Sequence, residues 1–316
     1  MTRSNDRSLA TFLDDATRLG GVDLHLHSCF SDGKPTPATL AEQACRHRLR
    51  VFALTDHDTV DGNARVRAAL ERAGARVLPW TDGPAEDGIV FIPGVECSTS
   101  DTFDGTAVEI HILGYFTEDA PPRMDAYLAR QRARRETRNR AMLQKMSDHF
   151  GVEVTFEDLA RFAGKGAVLG RNHMALWLVD RGHCATTQEA FDTFLKPGRP
   201  FYVPRTRERV EAACDAIGEA GGVAVLAHPN EYKGWVDDLS ASGRARLRER
   251  FERMRAYGIR GIECFHGMAT PAQSRAMVKL ARDLGLIVTA GSDSHGRPND
   301  AVHAAMYTRE RAFTEN

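Results

Sequence analysis

Thiolate chemistry is what this chain of 316 residues is least equipped for: its six cysteines, Cys29, Cys45, Cys97, Cys184, Cys214 and Cys264, are scattered and form no Cys-x-x-Cys pair. Neither a disulfide framework nor a thiolate zinc cage follows, and the cysteines are expected to be reduced and mostly buried. No window approaches the roughly 18 apolar residues that a membrane-spanning helix needs. The opening MTRSNDRSLATFLDDATRLG has no apolar stretch of the kind that heads a secretion signal and is broken by Asp6, Asp14 and Asp15, so a cytoplasmic location is expected. An excess of charge is missing too: 42 Lys+Arg against 43 Asp+Glu leave −1. That removes the basic footprint of a binder of long nucleic acid, while leaving room for a local basic site and a small phosphorylated partner. There is no repeat, no low-complexity tract, no P-loop and no Ser-His-Asp set.

What is present is a series of short apolar runs: VDLHLHS (22–28), RVFALTDHD (50–58), IVFIPGVECS (89–98), VEIHILGYF (108–116), GVAVLAHPN (222–230), IRGIECFHG (259–267) and LIVTAGSDSHG (286–296). Such runs read as strands of a parallel sheet buried on both faces. Helical patterns separate them. After the first run, Thr36 is placed as an N-cap with Pro37 at the first helical position, and Leu40, Ala41 and Ala44 form a core-facing stripe. Similar spacers fall at 61–74, 207–220, 243–257 and 271–284. Alternation of this kind predicts an α/β fold, either a barrel or an open doubly wound sheet. From 119 to 205 the pattern changes to an Arg-rich helical stretch followed by further helices and the turn-rich KPGRPFYVPR, which reads as an inserted, mainly helical subdomain. The flanking parts, 20–118 and 206–316, would form the barrel, with 1–19 as an N-terminal extension. On the long helix, Arg132, Arg134, Arg135, Arg138 and Arg140 read either as a solvated face or as an anion-binding one.

Six of these runs carry His, Asp or Glu at or near their C-terminal ends, where barrel active sites are built. His25 and His27 are two apart on an extended segment and point to one face, while Val22, Leu24 and Leu26 point to the other. Asp293 and His295 repeat that spacing. His57, Glu96, His111 and His228 each end or follow another run, and Asp32 lies in the turn after the first. Any one of them, His111 for instance, would by itself read as a satisfied core or capping histidine. Together they are too many unpartnered buried polar groups, because each would lose a few kcal/mol without a partner and a shared cation removes that cost. Six imidazoles and three carboxylates without a thiolate suit manganese, iron or zinc. Nine ligands exceed what one four-coordinate ion takes, so two or three divalent ions are expected. His47, His149, His183 and His303 lie on helical or loop patterns and are expected at the surface.

In order along the chain, DLHLHSCFSDG, ALTDHDTVDG, GVECS, VEIHILGY, AHP and GSDSHG resemble the successive motifs of the polymerase and histidinol phosphatase (PHP) family. The resemblance implies a distorted TIM-like (β/α)7 barrel whose metal ligands are His25, His27, Asp32, His57, Glu96, His111, His228, Asp293 and His295, with Glu96 as the bridging carboxylate. Within the insertion, LGRNHMALWLVDRG and FLKPGRPFYVPR resemble the nucleoside 3′,5′-bisphosphate phosphatase branch of that family. This implies that Arg135, Arg138, Arg171 and His173 fold over the metals and hold substrate phosphate, as the planar fork of arginine suits; a capping or salt-bridge role is the rival for Arg171 and His173. His266, at another strand end, reads as a contact to substrate or to a metal ligand, or as packing. The segment 78–88 and the tail after GSDSHG depart from the family pattern, and both are expected to reshape the substrate end of the pocket.

The chemistry so implied is hydrolysis of a phosphomonoester of a nucleotide-like substrate by a metal-held hydroxide, with His57, Asp293 and His228 as the catalytic members of the cluster and arginines stabilising the developing charge. The alternatives are a phosphodiesterase or exonuclease acting on short oligonucleotides, and a noncatalytic metal-stabilised module that binds a phosphorylated ligand. A histidinol phosphate phosphatase ranks below these.

Overall fold

The computed structural model describes residues 8–83, 87–163 and 168–296. The elements run α1 (Leu9–Leu19), β1 (Val22–Asp23), α2 (Pro37–Arg46), β2 (Val51–Leu54), α3 (Asn63–Arg72), β3 (Val90–Phe103), β4 (Thr106–Tyr115), α4 (Asp125–Phe150), α5 (Phe156–Ala160), α6 (Arg171–Asp180), α7 (Thr187–Ala190), β5 (Glu208–Arg209), α8 (Val210–Glu219), β6 (Val223–Leu226), α9 (Ala241–Ala256), β7 (Gly261–His266), α10 (Pro271–Asp283) and β8 (Ile287–Gly291). The strands pair in the order β1-β2-β3-β4-β6-β7-β8, with β5 added beside β3. The chain around β1 returns to the end of β8: Leu24 N donates to Ala290 O at 2.9 Å and His27 N donates to Ser294 O at 3.0 Å. The result is an α/β, TIM-like barrel of seven strands, as expected.

The sheet is mixed, which corrects the all-parallel expectation. β4 runs antiparallel to both β3 and β6. The cause is the dipeptide Asp104-Gly105: both residues have positive φ, 51° and 76°, and Phe103 faces Thr106. A two-residue turn of this kind matches strand twist and reverses the chain at once, whereas a parallel partner would need a crossover.

Apolar burial follows the strand period along β2, where Val51 and Ala53 join one cluster and Phe52 and Leu54 another. Leu24 joins the first, with Val22, Val90, Ile92, Val225 and Ala290, whereas Leu26 joins the second, under α2 and α3, so the shared face expected for Val22, Leu24 and Leu26 is broken before Leu26, beyond the end of β1. Helix α1 adds Leu9, Phe12, Leu13 and Ala16 to the first of these clusters, and Asp14 on it accepts from Val288 N at the start of β8. Thr36 caps α2 as expected, accepting from Thr39 N, with Leu40, Ala41 and Ala44 buried. Helices α4 to α6 and the segment up to Phe201 build a separate apolar cluster around Met142, Met146, Met174, Trp177 and Leu195. Among the described residues no helix is long and apolar enough to cross a membrane. All six cysteines are free, four of them buried, with Cys45 exposed and Cys29 half-buried.

Candidate active site

His25 and His27, just past β1, both turn into the mouth of the barrel, with ring centroids 5.1 Å apart. Glu96, fully buried on β3, is the hub. Its Oε2 lies 3.3 Å from His25 Nε2, 3.2 Å from His27 Nε2 and 3.0 Å from His57 Nδ1. Its Oε1 lies 2.7 Å from His111 Nδ1 and 3.1 Å from His228 Nε2. Asp293 Oδ1 stands 2.9 Å from His27 Nε2 and 3.4 Å from His25 Nε2, and Asp32 Oδ1 stands 3.1 Å from His295 Nε2. All nine residues read from the strand ends therefore converge. His111 reaches Glu96 from the middle of β4 because that strand runs backwards. Asp293 and His228 sit at φ 54° and 29°, not in extended backbone, so the alternation read for Asp293 and His295 does not describe that turn. Left-handed backbone in non-glycine residues costs of order 1–3 kcal/mol each and collects at functional sites.

The cluster has the chemistry of a cation site. His25 Nε2, both nitrogens of His27, Asp32 Oδ1, His57 Nδ1, Glu96 Oε2, His111 Nδ1 and Asp293 Oδ1 are buried without a hydrogen-bond partner. Three groups bring one donor atom per residue within 4.8 Å of the others: His27, Asp32, His57 and His295; His25, His27, Glu96 and Asp293; and His57, Glu96 and His111. Ligand atoms about 2.1 Å from a tetrahedral ion stand roughly 3.4 Å apart, the scale of the contacts found here. Electrostatics agree. Burial alone would lower the pKa of His27 and His111, yet the carboxylates around them push both up to about 10. Burial would raise Glu96, Asp32 and Asp293, and the surrounding imidazoles hold all three well below the usual carboxylate range. Positive charge is required here, as protons or as metal.

Beside the cluster opens a cleft of about 150 Å³ whose lining includes Asp32, His57, His111, Arg135, Arg138, Arg171, Arg205 and Arg207. Asp58, buried at φ 54°, accepts from Arg135 Nη2 at 2.6 Å, Arg205 Nη2 at 2.8 Å and Ser98 N at 3.0 Å. Despite burial its carboxyl is held well below the ordinary value, by Arg205 and Arg135 above all. Arg207 pairs with Glu109. Arg138 and Arg171 have no carboxylate within ion-pair distance among the described residues; Arg138 bonds to Asn139 Oδ1, and Arg171 lies over the rings of Phe191 and Tyr202. Burial and then the neighbouring arginines depress Arg138 to about 9.

Other expectations fall differently. His173 turns back on its own helix, where its Nδ1 accepts from Gly170 N at 3.1 Å. His266 is buried on the metal side, 3.7 Å from Asp293 Oδ2. Residues 78–83, expected at the substrate end, lie before β3 begins, and Trp80 packs on Phe12 of α1 with centroids 6.1 Å apart. This corrects the placement: the segment joins the end of the barrel where strands start, because it leads into a strand. Residues 84–86, the tail from 297 and His303 lie outside the described residues; His47, His149 and His183 are exposed. Sequence reasoning passed over Asp58, Glu109, Asn172, Arg205, Arg207 and Glu263. The signal for Arg205 was there, at the end of the turn-rich KPGRPFYVPR, as a cation with no helical face to solvate it.

The PHP domain profile matches residues 23–148. The chain is 34% identical to the 5′-3′ exoribonuclease Rnm of Salmonella typhimurium over 273 residues, 86% of this chain and 84% of that one. The chain belongs to the PHP family. It is also 31% identical to a 3′,5′-nucleoside bisphosphate phosphatase of Chromobacterium violaceum, over 88% of each chain. A solved structure from Chromobacterium violaceum, described as an amidohydrolase with bound sulfate and no metal, superposes with a TM-score of 0.70 at 31% identity over 89% of each chain. Like its PHP relatives, the protein is a metal-dependent hydrolase of phosphoric esters.

Proposed function

We propose that this PHP enzyme removes phosphate from a nucleoside 3′,5′-bisphosphate or a related pathway nucleotide. The observation that carries the reading is the pair Arg138 and Arg171: two cations without carboxylate partners among the described residues, in one cleft with the His/Asp/Glu cluster. A substrate with two phosphates satisfies both halves, one phosphoryl group at the cluster and the other against the arginines, whose planar forks pair with phosphate oxygens.

In this reading His25, His27, Glu96 and Asp293 would hold one divalent ion. His57 and His111 would hold a second together with Glu96, His228 standing at the same carboxylate, and Asp32 and His295 would hold a third together with His27 and His57. Manganese, iron and zinc suit the donor set. Bound there, such ions supply charge neutralisation at the phosphoryl oxygens and acidify water. The chain's own residues do the rest. Of the three cluster members read as catalytic, His57 lines the cleft itself, while Asp293 and His228 stand behind it against His27 and Glu96. Asp58 holds Arg135 and Arg205 toward the cleft. His173 caps α6 and so fixes Arg171 at its first turn, while His266 steadies Asp293. Residues 119–205 act as a cap inserted between 20–118 and 206–316, with 1–19 as an extension of the barrel.

A second reading, removal of nucleotides from the 5′ end of short RNA, is favoured by the exoribonuclease relative and uses the same two-phosphate geometry. The test is phosphate or nucleotide release by manganese-reconstituted protein from adenosine 3′,5′-bisphosphate, AMP, histidinol phosphate and a short oligoribonucleotide, with His57→Ala as control. Preference for the bisphosphate, lost in the control, supports the first reading. Turnover of the oligonucleotide alone replaces it with the second.

A further inference from the structure

We infer that Glu263 is a positioning residue that directs two members of the cluster, His25 and His228, toward the ions; the inference rests on the metal-centre reading above. Glu263 is the third residue of β7 and is fully buried. A carboxylate in that setting is costly unless its lone pairs are taken up. Its partners are both cluster residues. Oε1 and Oε2 lie 3.1 and 3.3 Å from His25 Nδ1, and Oε2 accepts from His228 N at 2.8 Å.

The first contact selects a tautomer. A carboxylate accepts, so His25 donates through Nδ1 and its Nε2 keeps a lone pair aimed at the gap between Glu96 Oε2 and Asp293 Oδ1, 3.3 and 3.4 Å away. The second contact fixes the backbone of His228, whose φ of 29° is unfavourable for a residue with a side chain and needs an anchor. The fold leaves room for this arrangement at one point: a Cβ on Gly291 would meet His25 Cβ at 2.3 Å and Glu263 Oε1 at 2.5 Å. Because His25 belongs to the group with Asp293 and His228 faces the other oxygen of Glu96, one carboxylate steadies ligands on both sides of the bridging residue. Carboxylates that orient a ligating imidazole typically change metal affinity by about 10–100-fold.

The test is Mn²⁺ titration of full-length Glu263→Gln and wild type, followed by electron paramagnetic resonance of free Mn²⁺, together with ¹⁵N-histidine NMR of the zinc-loaded proteins. The substitution keeps size and removes charge. We expect Mn²⁺ affinity to fall about 10–100-fold, the Mn²⁺ concentration for half-maximal activity to rise in step, and the Nδ1–H signal of His25 to lose its strong hydrogen-bond shift. Unchanged affinity and an unchanged spectrum overturn the inference. If the variant does not fold, wild type decides: His25 protonated on Nε2 and bound through Nδ1 overturns it, and the opposite tautomer supports it. A wild type that takes up no Mn²⁺ or Zn²⁺ overturns the metal-centre reading itself and this inference with it, whereas normal uptake with an indifferent variant overturns this inference alone.

Discussion

The two walls of the cleft are built by opposite means. The cluster wall comes from the barrel: its nine residues lie on the strands or just beyond them, His25, His27, Glu96 and His228 buried and the other five half-buried, and the sheet sets their spacing. The arginine wall comes from α4, the start of α6 and the loop before β5, elements that no sheet register connects. Its order depends on one buried carboxylate, Asp58, which ties Arg135 and Arg205 to the barrel. The first wall concentrates negative charge that a cation relieves; the second gathers cations that repel one another and that an anion relieves. A phosphorylated substrate answers the second, and metal answers the first.

The comparison breaks most sharply at Glu96. Glu96→Ala is expected to lower turnover on the order of 10³-fold or more, since the hub of the cluster goes; bound manganese, measured by mass spectrometry, should fall with it. Chelation of wild type should do the same reversibly. Cation and proton compete for the same nitrogens, and His27 and His111 are held at about 10. Manganese uptake at pH 7 should therefore release protons, and its affinity should climb as pH rises toward that value. An affinity that falls with pH would contradict this charge balance.

Next comes the tie between the walls. Asp58→Asn leaves two buried guanidinium groups unpaired and should cost about 3 kcal/mol in urea unfolding. Because the folded-state pKa of Asp58 is depressed, its contribution is full above the ordinary value of 3.8 and is lost as pH falls below it. The gap between wild type and variant should be flat from pH 5 to 7 and shrink under pH 4. A gap that persists in acid would mean packing, not charge, holds the tie.

On the arginine wall alone, the double variant Arg138→Ala with Arg171→Ala should reduce kcat/KM for adenosine 3′,5′-bisphosphate about 10²-fold, a pair of charge-assisted hydrogen bonds being worth that much. AMP hydrolysis and manganese content should hardly move. If AMP suffers equally, the arginines serve the scissile group and the two walls are not separate sites. The smallest effect belongs to the remaining arginines of α4. Arg132, Arg134 and Arg140 pair at the surface with Asp61, Glu208 and Glu136. Alanine at each should shift stability by less than about 0.5 kcal/mol and leave activity intact, as thermal melts and the same assay would show.

Much of the cluster was legible because its information is local. His25 and His27 need only the period of an extended segment to share a face, and Glu96 and His228 need only to follow an apolar run. The barrel was legible for the same reason, from runs and spacers in alternation. The reversal of β4 was equally local, in the Asp104-Gly105 turn, and was missed by treating every apolar run as one kind of strand. Glu263 was not legible: within GIECFHG it is one polar residue among apolar ones, and only the meeting of β7 with the first and sixth strands supplies its partners. Asp58 likewise sits beside His57 in TDHD, yet it faces away from the cluster and toward arginines about 77 and 147 residues further on.

By itself, then, the order of residues determined which groups of the PHP site are buried and able to bind a cation, because side-chain chemistry and strand period act over a few residues. Tertiary structure decided which arginines are tied to a carboxylate and which stay free for an anion, and which buried acids hold the ligands in place. Those outcomes depend on contacts between segments far apart in the chain, and the pairing energy of a charge is set by what folding brings to within hydrogen-bond distance of it.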